Sequence, residues 1–205
     1  MFDARIRPLI DPPLNALGRQ LASWGVSANL VTLAGLALGL AAAAAIAHEH
    51  YAIGGALVVA NRVLDGLDGA IARATRLTDF GGYLDIVADF AFYVAIPLGF
   101  AFANPSHALP AAALIASFTL TGISFLAFAT LAAKRGVETS AHGRKSFFYN
   151  SGLAEGTETI AVFIAICLLP DYFIPIAWVY AALCVITAVQ RSAAARALFT
   201  MDRAD

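Results

Sequence analysis

Asp65-Gly66-Leu67-Asp68-Gly69-Ala70-Ile71-Ala72-Arg73, followed after eight residues by Gly82-Tyr83-Leu84-Asp85-Ile86-Val87-Ala88-Asp89, is the stretch on which the reading of this chain turns. It sets four carboxylates between apolar runs long enough to cross a bilayer. Ionisable groups at that depth are costly and mark function. Asp65, Asp68, Gly69, Ala72 and Arg73 fall at i, i+3, i+4, i+7 and i+8, one stripe of a helix. Gly82, Asp85 and Asp89 fall at i, i+3 and i+7 of the next. Only residues 74–78 turn the chain between them, so the helices are predicted as antiparallel neighbours with their acidic stripes facing.

Outward from that stretch the chain is apolar almost throughout. Of its 205 residues 60% are hydrophobic, and its mean hydropathy is +0.75. Soluble domains are nearer about 45–50% apolar, so the composition predicts an all-α polytopic membrane protein. With about 20 residues per span, the runs predict six transmembrane helices, over 28–48, 51–73, 80–103, 109–133, 152–169 and 174–197. Ser27 is the expected N-cap of the first. Ahead of the spans, Leu14, Leu17, Leu21 and Trp24 recur at helical spacing. They predict an N-terminal amphipathic helix over 13–24, lying in the membrane interface; a juxtamembrane linker is the plainer alternative. A single domain over 1–205 is expected, without internal repeat or soluble module.

The net charge of −1 decides little, whereas the placement of charge decides the topology. Arg5, Arg7 and Arg19 precede the first run, and Arg62, Arg73 and Arg76 belong to the acidic stretch. Lys134, Arg135, Arg144 and Lys145 lie between the fourth and fifth runs, and Arg191, Arg196 and Arg203 near the end. The other three connections carry no Lys or Arg. The positive-inside rule then predicts cytoplasmic termini and a cytoplasmic active site. No signal peptide is read at the start of the chain, and no nucleic-acid partner is expected. Cys167 and Cys184 fall in apolar runs and read as inert packing residues. His48 and His50 flank Glu49 in an outer loop and read as loop, not metal site. Gly35-x-x-x-Gly39 suits close helix packing or a dimer contact.

Four converging carboxylates repel one another, and a divalent cation removes the conflict. All-oxygen ligands favour Mg²⁺, Mn²⁺ or Ca²⁺, and a metal pair can clamp the attacking and leaving oxygens of a phosphoryl transfer. Gly69, Ala72 and Gly82 leave room for a bulky ligand, and Arg73 can fork onto phosphate oxygens. The ligand so inferred is a metal-chelated diphosphate. Asn61, one turn before Asp65, either orients that carboxylate or packs helices. The plainer reading of the acids is a solvated patch paired with Arg62, Arg73 and Arg76.

The pattern Asp65-x2-Asp68-Gly69-x2-Ala72-Arg73-x8-Gly82-x3-Asp85-x3-Asp89 resembles the full signature of the CDP-alcohol phosphatidyltransferases, with every defining position matched. The resemblance implies Asp65, Asp68, Asp85 and Asp89 as ligands of a divalent metal, Mg²⁺ or Mn²⁺, two ions in number. It implies Asp89 as the catalytic base, and Asp68, Gly69, Ala72, Arg73 and Gly82 as the CDP site. A phosphatidyl group would pass from CDP-diacylglycerol to a small hydroxyl acceptor, releasing CMP, in phospholipid biosynthesis. A homodimer among membrane lipids, in a bacterial inner membrane, is implied as well. Transfer of a CDP-linked small alcohol to diacylglycerol is the rival reading within the class. A cation- or proton-coupled transporter is the rival outside it, although transporter sites favour the midplane and repeated halves.

The acceptor side is less defined. Lys134, Arg135, Arg144, Lys145 and Arg191 are candidate grips for an anionic acceptor, or mere topology and lipid-headgroup charges. Glu155 and Glu158 open the fifth run, where a helix N-terminus favours acids; the functional reading makes them a polar wall of the active site.

Overall fold

The computed structural model describes residues 3–135 and 154–201. Among them the chain forms seven α-helices and no strand: α1 (Asp3–Ser23), α2 (Ala28–Ala47), α3 (Tyr51–Ala74), α4 (Asp79–Ala103), α5 (Ala108–Lys134), α6 (Gly156–Leu168) and α7 (Phe173–Met201). Single 3₁₀ turns, Pro105–His107 and Pro170–Tyr172, lead into α5 and α7. Four helical stretches are long and apolar enough to cross a membrane: Ala28–Ala47, Asp79–Ala103, Pro105–Lys134 and Pro170–Thr200. The other two predicted spans differ from these. α3 is long enough but carries Arg62, Asp65, Asp68 and Arg73. The described part of the fifth span is only 13 residues, about 20 Å at 1.5 Å per residue.

The order of contacts makes successive helices run in opposite directions. At one end Tyr51 stacks on Phe100 (5.5 Å between centroids) and Phe100 on Phe173 (4.5 Å), which joins the starts of α3 and α7 to the end of α4. At the other end Arg135 donates to the Phe199 carbonyl (3.3 Å), which joins the ends of α5 and α7. Leu33, Leu40, Val63, Phe102 and Val189 stand exposed on the helix flanks, an arrangement unfavourable in water and suited to hydrocarbon.

Small residues set the close approaches. Gly35 and Gly39 are buried on α2. A Cβ at Gly39 would come within 2.7 Å of Phe92 on α4, and one at Gly35 would meet Leu64 and Asn61 on α3. The Gly-x-x-x-Gly pair therefore serves packing within the protomer, as one of its two sequence readings has it. α1 starts at Asp3 and runs through Pro8, Pro12 and Pro13, ahead of the predicted start; proline's fixed φ is compatible with a helix, although inside one it removes an N–H bond and crowds the carbonyl four residues back. A Cβ at Gly18 would meet Ala70, and Leu14 faces Gly66, so α1 lies against α3. Of the apolar stripe, Leu17 and Trp24 remain exposed. Ser27 takes the N-cap position of α2 but makes no side-chain cap bond. Thr78 does cap α4, its Oγ1 accepting the Gly81 N–H at 3.0 Å.

Candidate active site

α3 and α4 are not the close-packed neighbours that the short turn predicts: both pack chiefly on α2, which lies against each of them, and their acidic stripes converge across the gap between them. Carboxylate oxygens of Asp65, Asp85 and Asp89 lie within 4.8 Å of one another. Asp68 stands beside this trio, 5% exposed, with Oδ2 buried and lacking a hydrogen-bond partner. A buried carboxylate oxygen without a donor is unstable unless a cation or water reaches it. Asp65, Asp68 and Asp89 share a 10 Å³ space with Thr32 and Arg62, about what one water or ion needs. Oxygen donors at this spacing, a small enclosed space and an orphaned oxygen fit a hard divalent cation.

Arg62 is also in the site, and sequence reading offered it only as a partner in a solvated patch. Its Nη1 donates to Asp89 Oδ1 at 2.9 Å and lies 3.6 Å from Asp65 Oδ2. Its Nε donates to Asn61 Oδ1 (2.7 Å), while Asn61 Nδ2 donates to the Gly35 carbonyl on α2 (2.7 Å). Asn61 thus positions Arg62 and packs against α2. Beneath the guanidinium lies Phe92, with Cζ 4.4 Å from the ring centroid. Phe92 in turn meets Phe163 edge-on (5.7 Å), and Phe163 meets Phe118 (5.9 Å). This aromatic layer closes the acidic site toward the middle of the bundle.

Beside the acids, a 160 Å³ cleft is lined by Asp68, Gly69, Ala72, Gly82, Asp85 and Arg76, among others. A Cβ on Gly82 would meet nothing within 4 Å, so that glycine borders open space. Arg73, predicted for the same site, is not among the residues lining the cleft: Nη2 donates to Asn15 Oδ1 of α1 (2.9 Å), and Nη1 lies 3.1 Å from where a Gly69 Cβ would be. Asn29 and Thr32 of α2 complete the wall. Sequence reading passed over both, although polar residues one turn apart at the start of an apolar span were a usable signal.

On the far side of α4, a 250 Å³ cavity is lined by Tyr93, Thr121, Glu155, Thr159 and Arg191 with several apolar side chains. Arg191 donates to the Thr121 carbonyl (3.2 Å), and Thr159 hydrogen-bonds Tyr180 (2.7 Å). Glu155 occupies the N-cap position of α6, with Glu158 in its first turn. Arg135 binds α7, and Lys134 ends α5. Arg144 and Lys145 lie outside the described residues.

Comparison with known proteins identifies the family. The profile of the CDP-alcohol phosphatidyltransferase family matches residues 25–196. The chain is 44% identical over 192 residues to the inner membrane protein YnjF of Escherichia coli K12, covering 93% of each. Over 99 residues it is 35% identical to the archaetidylinositol phosphate synthase of Pyrococcus horikoshii, covering 48% of this chain and 53% of that one. The fold is shared with Mycobacterium tuberculosis phosphatidylinositol phosphate synthase. Its structure with CDP-DAG bound gives a TM-score of 0.65 at 21% identity, covering 89% of this chain and 92% of that one. Its complex with manganese and citrate gives 0.66 at 22%, covering 89% and 88%. With the full acidic signature in its sequence and Asp65, Asp85 and Asp89 gathered within 4.8 Å, this chain belongs to the CDP-alcohol phosphatidyltransferase family of enzymes.

Proposed function

We propose that this enzyme transfers a phosphatidyl group from CDP-diacylglycerol to the hydroxyl of a small polar alcohol, releasing CMP, in phospholipid biosynthesis. The observation that carries this reading is the meeting of Asp65, Asp85 and Asp89 within 4.8 Å, beside a cleft walled by Gly69, Ala72 and Gly82. The CDP-DAG complex of the fold neighbour supports a lipid-linked donor, and its manganese complex supports a divalent metal.

In this reading Asp65, Asp68, Asp85 and Asp89 hold two Mg²⁺ or Mn²⁺ ions. Bound there, the ions would neutralise the donor's diphosphate and the charge developing on departing CMP. The nucleotide lies in the cleft, where Gly69, Ala72 and Gly82 leave space and Arg73 and Arg76 offer charge at its edge. The acceptor enters the second cavity, where Glu155 and Arg191 give it hydrogen-bonding and charged contacts. Asp89 takes the proton from the acceptor hydroxyl. That oxygen bonds to the lipid-bearing phosphorus as the bond from phosphorus to the CMP oxygen breaks. Phe92, Phe163 and Phe118 keep the site's polar groups apart from the apolar interior.

The same reading takes 1–205 as a single domain of six spans, α2 to α7, in a bacterial inner membrane, with termini and active site cytoplasmic. The alternation of helix direction and the basic residues near the acidic end support it, as does the membrane name of the E. coli relative. α1 lies in the interface, with Leu17 and Trp24 toward lipid. A homodimer is part of the proposal; with Gly35 and Gly39 buried within the protomer, its contact uses other surfaces.

The test is mass spectrometry of the lipid made by detergent-solubilised protein from CDP-diacylglycerol, Mn²⁺ and a panel of acceptors (glycerol phosphate, inositol phosphate, serine, plain polyols), with CMP release in parallel. One acceptor is expected to give a phospholipid and stoichiometric CMP. Product formed only from a CDP-linked small alcohol and diacylglycerol would reverse the donor assignment.

A further inference from the structure

Arg62 brings a fixed positive charge into a site otherwise made of carboxylates, and it is held there on several sides. Its side chain is 17% exposed, bonded at 2.9 Å to Asp89 Oδ1 and 3.6 Å from Asp65 Oδ2. Asn61, 3% exposed, fixes Nε, and Phe92, fully buried, supports the guanidinium plane. A solvated surface arginine is not built this way: stacking on an aromatic ring plus directed bonds from Nε and Nη1 leave it little rotational freedom.

We propose that Arg62 is a resident cation of the acidic site, a positioning residue that sets how many divalent ions the enzyme holds before its donor arrives. The inference rests on the metal-dependent reading above. Of the four negative charges on Asp65, Asp68, Asp85 and Asp89, Arg62 offsets one. A first divalent ion leaves one negative charge uncompensated; a second reverses the sign of the site. The second ion is therefore disfavoured until the diphosphate supplies further negative charge. Arg62 also takes Oδ1 of Asp89, which leaves Oδ2 for an ion or the acceptor. The donor-free enzyme consequently holds one ion, and the second enters with the nucleotide.

Manganese titration of the purified full-length protein in detergent, read as loss of the free Mn²⁺ electron paramagnetic resonance signal, tests this with and without CDP. Wild-type protein is expected to bind one ion alone and two with CDP. Arg62→Gln is expected to bind two ions without CDP, the first about tenfold more tightly, because a like charge beside the ligands is gone. Arg62→Lys keeps the charge and is expected to bind one ion without CDP, as wild type does. Equal or weaker manganese binding by folded Arg62→Gln would overturn the proposal. Were that variant not to fold, two ions in donor-free Arg62→Lys would overturn it too. Wild-type protein that takes up no manganese, with CDP or without, would instead remove the metal reading itself.

Discussion

The two ends of the helix bundle are built from opposite chemistry, and the larger cavity is at the end without the acids. There, between α6 and α7, a 440 Å³ groove is lined by Val162, Leu169, Ile176, Val179 and other apolar or aromatic side chains. Next to it Tyr51, Phe100, Phe173 and His107 stack, with Phe173 and His107 4.7 Å apart. At the opposite end the spaces are smaller, 250, 160 and 10 Å³, yet carboxylates, guanidinium groups and hydroxyls converge on them. Void volume therefore says little about where a membrane enzyme works. Bringing ionisable groups together inside apolar helices is costly, and it is that cost which identifies the site.

If the ends divide labour in this way, substitutions at the acidic end should damage turnover and spare the fold, and those at the aromatic end should do the reverse. The largest effect is expected at Asp89: Asp89→Asn, and equally Asp85→Asn, should lower kcat at least about a thousandfold. Both variants should still insert and elute as wild type on size-exclusion chromatography. Next comes the acceptor cavity. Glu155→Gln and Arg191→Gln should raise the acceptor KM by about tenfold or more, with the donor KM nearly unchanged.

Gly82→Ala separates the roles of cleft and fold within α4 itself. A Cβ there meets no protein atom, and alanine is the better helix former by about 0.5–1 kcal/mol. Its melting temperature should hold or rise while the donor KM rises several-fold; an unchanged donor KM would remove the nucleotide from the cleft. The smallest effect on catalysis is expected from Phe173→Leu at the other end. It should destabilise by about 1–2 kcal/mol in a denaturant titration, through lost stacking with Phe100 and His107, and leave kcat within twofold.

The acidic stripes were legible, because helical periodicity alone puts Asp65 with Asp68 and Asp85 with Asp89 on single stripes; the role of α2, on which both α3 and α4 pack, was not, because a short turn says only that the chain reverses and not which helix lies between. Arg62 was not legible as a site residue. An arginine three positions before an aspartate is as consistent with a solvated pair as with a buried brace, and only its bond to the preceding Asn61 and its stacking on Phe92 of α4 separate the two. Nor did periodicity tell Arg73 from Arg76: both follow the motif, yet Arg76 lines the cleft and Arg73 reaches α1. Helix lengths were readable where apolar runs end at Gly, Pro or charge. At α1 the prolines suggested a start at residue 13, because they were read as a boundary when they sit inside the helix. For Glu155, a helix N-terminus explained an acid equally well; its place on a cavity wall depends on α4, α5 and α7, whose approach is a tertiary fact.

The proposed chemistry requires that the carboxylates of α3 and α4 hold divalent cations and act with them on a CDP-linked lipid. Its most direct test is CMP release from CDP-diacylglycerol by the purified protein with its acceptor present, with Mn²⁺, after chelation by EDTA, and in the Asp85→Asn variant. Release is expected with Mn²⁺, stopping on chelation, returning when the metal is restored, and lost in the variant. CMP release that persists undiminished without metal, or in Asp85→Asn, would contradict that chemistry.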